Sequence, residues 1–172
     1  MLAVITGASS GLGREFAIQL DKMGYETVLV ARREDRLHSL KQHLKNKCTV
    51  MALDLSITEN CQKLFDAFPD ADILINNAGF GKFGAIKESD ISKDLQMINI
   101  NITAQYMLQK LYLTRFIKRG SGRILNTASA AAFMAGPYFA LYYASKYFVM
   151  RISQSANREA KGTGVTVYAF CL

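Results

Sequence analysis

Ser129, Tyr142 and Lys146 are the residues whose types and spacing promise chemistry. Tyr142 and Lys146 stand four apart in Tyr142-Tyr143-Ala144-Ser145-Lys146, so on a helix they lie one above the other on one face. An ammonium held a few ångströms from a phenol favours the phenolate, which makes that phenol a proton donor and acceptor near neutral pH. Ser129 follows a strand-like run, Gly122 to Asn126, where its hydroxyl can hydrogen-bond a carbonyl or alcohol oxygen. A tyrosine and a lysine at helical spacing are common on protein surfaces. The pair gains meaning only from the elements that position it.

Those elements alternate. Leu2 to Thr6 is an apolar run ending in Gly7-Ala8-Ser9-Ser10-Gly11-Leu12-Gly13, after which Arg14 to Met23 shows helical periodicity and stops at Gly24. A second strand is predicted over Thr27–Ala31 and a helix over about Glu34–Lys45. Thr49–Leu53 reads as the third strand, ending at Asp54, with a helix over about Thr58–Phe68. Asp72–Ile75 is a fourth, closing on Asn76-Asn77-Ala78-Gly79. The loop Phe80–Gly84 leads to one long helix from about Ile91 to Lys118. Gly122–Thr127 is the fifth strand, Tyr138–Lys161 a helix and Val165–Cys171 the last strand. Short apolar strands alternating with helices predict an α/β fold, a doubly wound parallel sheet with helices on both faces. No linker, repeat or low-complexity stretch divides residues 1–172, so a single domain is expected. The last strand ends at Cys171-Leu172 with no helix after it, which predicts an apolar sheet edge covered by a partner chain or by the rest of a longer protein.

The glycines follow a strand and open a helix, the context in which a glycine motif brings backbone close to a pyrophosphate at a helix N-terminus. The spacing G-x-x-x-G-x-G differs from the commoner G-x-G-x-x-G. At the end of the second strand, an NAD site usually carries an acidic residue for the ribose hydroxyl. Here the chain reads Val30-Ala31-Arg32-Arg33, a small residue followed by two cations that suit a phosphate, so NADP is favoured over NAD. Asp54 is placed to accept from an adenine amino group, to cap the next helix, or both.

The net charge of +7 agrees with a phosphate-bearing cofactor. Its basic residues are scattered among Arg32, Arg33, Arg36, Lys41, Lys45, Lys47, Arg115, Lys118 and Arg119 rather than gathered on one face, which argues against nucleic acid. No apolar run reaches the roughly 18–20 residues of a membrane span, and the chain enters a strand at once, without room for a signal peptide. Cys48, Cys61 and Cys171 are odd in number and lack metal-type spacing, so reduced thiols, no metal site and a cytoplasmic location are expected. His38 and His43 read as solvated side chains.

Thr6-Gly7-Ala8-Ser9-Ser10-Gly11-Leu12-Gly13, Asp54-Leu55, Asn76-Asn77-Ala78-Gly79, Ser129 and Tyr142-x-x-x-Lys146 together resemble the short-chain dehydrogenases/reductases, in order and from Leu2 to Cys171. The resemblance implies an NAD(P)-binding Rossmann fold of three layers, α/β/α. It implies cofactor contacts from Gly7, Ser9, Ser10, Gly11, Leu12 and Gly13, and from Arg32, Arg33, Asp54 and Leu55 further along the cleft. Asn76, Asn77, Ala78 and Gly79 would lie along the cofactor's ribose side. Tyr142 corresponds to the general acid/base, Ser129 to the residue that orients the substrate oxygen, and Lys146 to the residue that activates the phenol and holds the nicotinamide ribose. The family's fourth catalytic residue is an asparagine in the long helix, anchoring a water in a proton relay. Asn101 fits that pattern and Asn99 is the fallback. Members of the family pair through the long helix and the tyrosine-bearing helix into dimers and tetramers, so a homodimer or homotetramer is expected. The family pattern also continues past the sixth strand with a Pro-Gly turn, a substrate-covering loop and a seventh strand. Leu172 stands where that proline is expected, so the chain reads as lacking those parts and, with them, some or all of the activity.

The resulting expectation is hydride transfer between NADP(H) and a small or apolar carbonyl/alcohol pair. Ala130 to Ala135, Tyr138 and Phe139, small, apolar or aromatic, are candidates for the pocket wall. The alternatives are a non-catalytic NADP-binding module acting through protein contacts, and a nucleotide-sugar epimerase or dehydratase. The second usually carries G-x-x-G-x-x-G, which this chain lacks.

Overall fold

The computed structural model describes residues 1–172. Six parallel strands form one sheet: β1 (Leu2–Thr6), β2 (Glu26–Ala31), β3 (Cys48–Ala52), β4 (Ile73–Asn76), β5 (Gly122–Thr127) and β6 (Val165–Phe170). Their spatial order is β3-β2-β1-β4-β5-β6. The chain therefore builds outward from β1 in one direction and then restarts beside it with β4. That reversal leaves a crevice at the carboxyl ends of β1 and β4, where open α/β sheets bind ligands.

The central strands β1, β2 and β4 bury both faces, so their successive side chains feed two separate cores. Val4, Val28 and Leu74 join Leu64, Leu108, Tyr112 and Phe116 on one side. Ala3, Ile5, Leu29 and Ile73 join Ala17, Leu20, Leu37 and Leu40 on the other. The helices supplying these partners are α1 (Gly11–Lys22), α2 (Glu34–Lys41), α3 (Thr58–Ala67) and α5 (Gln105–Arg119). Between α3 and α5 comes α4 (Ile91–Ile98), and α6 (Ala140–Glu159) runs before β6. No helix is long and apolar enough to cross a membrane.

Three elements depart from the sequence expectation. The predicted helix over Glu34–Lys45 stops at Lys41. Buried Asp21, near the end of α1, takes the backbone N–H groups of Lys45 and Asn46 and the Asn46 amide, at 2.8–3.0 Å, and so fixes the following turn. The single helix over Ile91–Lys118 is instead α4, a π-helical stretch over Asn99–Ala104, and α5. The helix predicted from Tyr138 begins at Ala140, because Tyr138 has φ +66°. Strand ends otherwise shift by a residue or so. β6 lies at one edge of the sheet, with Tyr168 exposed.

Candidate active site

A cleft of about 620 Å³ opens at the carboxyl ends of the strands, running from Arg32 and Arg33 to Tyr142 and Lys146. Its floor is the turn between β1 and α1. Gly7 and Gly11 adopt φ +68° and +54°, which glycine alone takes without strain. A Cβ at Gly7 would come within 2.7 Å of Asn77 Nδ2 and 3.0 Å of Ala78 Cα. The turn is thus seated against the end of β4, with Ser9, Ser10, Gly11 and Leu12 lining the cleft at the start of α1. Gly13 is buried and does not line the cleft. A Cβ there would stand 2.3 Å from Gly7 O, so its part is to let α1 close on the turn.

The arginine end is organised by hydrogen bonds. Arg33 Nη2 donates to Ser9 Oγ and Ser10 Oγ, at 3.0 Å each. Arg32 Nη1 is 3.9 Å from Asp54 Oδ2 across the same cleft. Asp54 Oδ1 accepts from the backbone N–H and hydroxyl of Ser56, at 2.9 and 2.7 Å. Its side chain therefore closes a local turn and does not cap α3, whose N-cap is Ile57. Leu55 and Ser56 line the wall beside it.

A chain of hydrogen bonds links this floor to the lysine. Thr6 Oγ1 accepts from the N–H groups of Asn77 and Ala78, and Asn77 Nδ2 donates to Thr6 O. Thr127 Oγ1 donates to Asn77 Oδ1 at 3.1 Å, and Thr127 O accepts from Lys146 Nζ at 2.8 Å. Asn77, Ala78 and Gly79 line the cleft. Asn76 does not, contrary to expectation. Alternation along β4 turns its side chain inward, where Nδ2 donates to Gln105 O at 2.8 Å and to Asn126 Oδ1 at 3.1 Å.

At the other end, Lys146 is only 4% exposed and its Nζ lies 5.6 Å from the centroid of the Tyr142 ring. The two share a face of α6, as their spacing predicts. Burial lowers the Lys146 pKa to about 8, against a small opposing effect of Cys171. Ser129 is in the same cleft, just beyond β5. Its Oγ donates to Leu172 O at 3.1 Å and accepts from Ala131 N at 3.2 Å.

Asn101 is fully buried in the π-helical stretch and outside the cleft lining. Its Oδ1 accepts from Phe80 N at 3.0 Å, and its Nδ2 donates to Phe80 O at 2.8 Å and Ser145 Oγ at 3.1 Å. Ser145 in turn donates to Tyr142 O at 2.8 Å. The side chain thus ties the loop after β4 to the helix that carries Tyr142. Asn99 belongs to the same stretch but makes no side-chain hydrogen bond of this kind.

Sequence reasoning missed Ser56, Phe80, Gln96, Ile100 and Thr127 in the cleft wall. The Asp-x-Ser turn was a usable local signal for Ser56. Gln96 and Ile100 come from a helix whose rotation is set by distant contacts, and nothing local marks them. No group of three or more His, Cys, Asp or Glu side chains is arranged to hold a metal ion.

The site fits a nicotinamide dinucleotide on three observations: a glycine turn with no room for a Cβ at Gly7 or Gly13, a serine–arginine cluster at one end, and a buried lysine beside a phenol at the other. The profile of the short chain dehydrogenase family matches residues 1–172. An uncharacterized oxidoreductase of Staphylococcus epidermidis is 34% identical over 170 residues, which is 96% of this chain and 74% of that protein. Among solved structures, a bulky-bulky ketone specific alcohol dehydrogenase from Comamonas testosteroni superposes with TM-score 0.95 at 31% identity, covering 99% of this chain and 70% of that one. A short-chain dehydrogenase from Sphingobium yanoikuyae in complex with NADPH gives TM-score 0.93 at 30% identity, over 99% and 69% of the two chains. With a cleft that fits a dinucleotide, a doubly wound parallel sheet and these likenesses in agreement, the chain belongs to the short-chain dehydrogenase family of NAD(P)-dependent oxidoreductases.

Proposed function

We propose that this protein interconverts an apolar carbonyl compound and its alcohol with NADP(H), and that Ser129, Tyr142 and Lys146 carry the chemistry. The observation that bears most weight is the buried Lys146 ammonium beside the Tyr142 ring in a cleft that also holds Ser129. When bound, the nicotinamide supplies the hydride for reduction or takes it in oxidation. Gly7, Ser9, Ser10, Gly11 and Leu12 would hold its phosphates, with Asn77, Ala78 and Gly79 along the ribose side. Arg33, oriented by two serine hydroxyls, and Arg32 favour the 2′-phosphate of NADP over the free hydroxyl of NAD. The NADPH and NADP complexes of two structural neighbours, at 30% and 28% identity, support the same choice.

The residues divide the remaining work. Ser129 Oγ donates to the substrate oxygen and fixes the carbonyl. Tyr142 gives its hydroxyl proton to that oxygen as negative charge develops on it. Lys146, anchored on Thr127 O, stabilises the charge left on the phenolate. Asn101 acts on this arrangement through Phe80 and Ser145 as a positioning residue.

A single NADP-binding domain over residues 1–172, a cytoplasmic location and a homodimer or homotetramer formed through α5 and α6 complete the reading. Tyr106 and Tyr147 on these helices are exposed, and light scattering that finds only monomers would count against the assembly. The test of function is NADPH consumption with a panel of apolar ketones and aldehydes. Turnover of at least one carbonyl, with NADH much poorer, is expected. Tight NADPH binding with no turnover on any of them would favour a non-catalytic binding module.

A further inference from the structure

One aromatic cluster adjoins the catalytic phenol. The Phe139 ring meets that of Tyr142 edge-on, with centroids 5.9 Å apart, and lies 6.0 Å from that of Tyr143. Phe83 meets Phe139 edge-on at 5.4 Å and stacks on Tyr138 at 5.3 Å, with the planes inclined by 30°. The series leads from Tyr142 outward to two rings that remain open to solvent: Phe83 is 67% exposed and Tyr138 50%.

Two separate loops assemble it. Phe83 comes from the segment after β4, and Tyr138 and Phe139 from the segment before α6. The loops are joined by a backbone hydrogen bond from Gly84 N to Tyr138 O, at 2.8 Å. The first loop is also pressed against the catalytic ring, since a Cβ at Gly81 would come within 2.9 Å of Tyr142 Cδ2. Tyr138 is the only non-glycine residue with positive φ, a conformation disfavoured for a side chain bearing a Cβ. Its half-exposed ring gains little from burial to offset that. Strain of this kind, beside a reacting group, is characteristic of a functional position.

The three rings carry no charge of their own, and one lysine stands beside them. Lys82 is the one charged residue of the Phe80–Gly84 loop. Open aromatic faces suit a planar π-system, which they can meet by offset stacking or edge-to-face contact. Resting on the carbonyl–alcohol reading above, we propose that Phe83, Tyr138 and Phe139 form a recognition wall for a flat aromatic arm on the substrate's carbonyl carbon.

The test compares acetylnaphthalene with acetyldecalin, ketones of similar size that differ in planarity and π-character. Each is titrated into the protein saturated with NADP+, and binding is read by calorimetry. The parent binds acetylnaphthalene about tenfold more tightly. Phe83→Leu and Tyr138→Gly each cut that preference roughly threefold or more, while acetyldecalin affinity changes by less than about twofold. Phe83→Tyr keeps the preference. Tyr138→Gly relieves the positive φ, so it should melt no lower than the parent, which separates loss of recognition from loss of fold. Equal affinity for the two ketones, no binding of either, or a preference untouched by both substitutions overturns the wall. Reduction with NADPH is then followed on the same ketones. Selective binding without turnover defeats the reaction and leaves the wall, whereas turnover without selectivity defeats the wall and leaves the reaction.

Discussion

Lys146 keeps its ammonium on Thr127 O in a nearly closed site, and the burial that holds it there also weakens its hold on the proton. Its pKa of about 8 sits below the ordinary lysine value, so the cation is fully present below that pH and is lost as pH rises through it. If that charge supports proton donation by Tyr142, kcat/KM for carbonyl reduction falls as pH climbs through about 8. Lys146→Arg keeps the charge to higher pH and should move that limb upward, at some loss of rate from altered geometry. A limb unmoved by the substitution would assign it to another group. Arg33 makes a separate prediction at the far end of the cleft. Its bonds to Ser9 and Ser10 aim the guanidinium, so Arg33→Ala should raise the KM for NADPH by roughly tenfold or more and leave that for NADH nearly unchanged. Steady-state kinetics with both cofactors checks it. Equal losses for the two would indicate a general role in shaping the turn.

Among the elements, the π-helical stretch between α4 and α5 carries Asn101 and sets Ile100 in the cleft wall. It places Asn101 where one side chain serves Phe80 on the loop after β4 and Ser145 on α6. Asn101→Ala leaves the half-buried Phe80 N–H and carbonyl without these partners. It should destabilise the fold by about 1–3 kcal/mol, seen as a lower melting temperature, and reduce turnover more than it weakens NADPH binding. An unchanged melting temperature would show that the Phe80 loop finds other partners. The strands and most helices were legible in the sequence because their signals are local: apolar runs of strand length, glycine stops and helical periodicity. This stretch was not, since Ile91 to Lys118 has an unbroken helical pattern and its bulge depends on partners distant in the chain. The early end of α2 is hidden for the same reason, in Asp21 and its bonds to Lys45 and Asn46. Asn76 and Asn77 are neighbours of one residue type, yet one faces the core and the other the cleft. Only the register of β4 decides which.

For the whole molecule, the order β3-β2-β1-β4-β5-β6 accounts for why residues so far apart in the chain meet. The glycine turn follows β1, the arginines β2, Asp54 β3, Asn77 β4 and Ser129 β5, so each arrives at the same end of one parallel sheet. The motifs announced that convergence, because each stands directly after a strand. Position after Ser129 marks Tyr138 and Phe139 as candidates for the pocket wall, but nothing local marks Phe83, which loop contacts alone bring onto Tyr138. On the proposed reading cofactor contacts come from four strand ends, β1 to β4, while proton donation rests on one hydroxyl. The most direct measurement is therefore a comparison of Tyr142→Phe with the parent protein, for NADPH affinity and for reduction of a turned-over ketone. The account predicts an NADPH Kd within a fewfold of the parent and turnover lower by roughly a hundred- to ten-thousand-fold. Turnover near the parent rate, with NADPH bound as before, would contradict it.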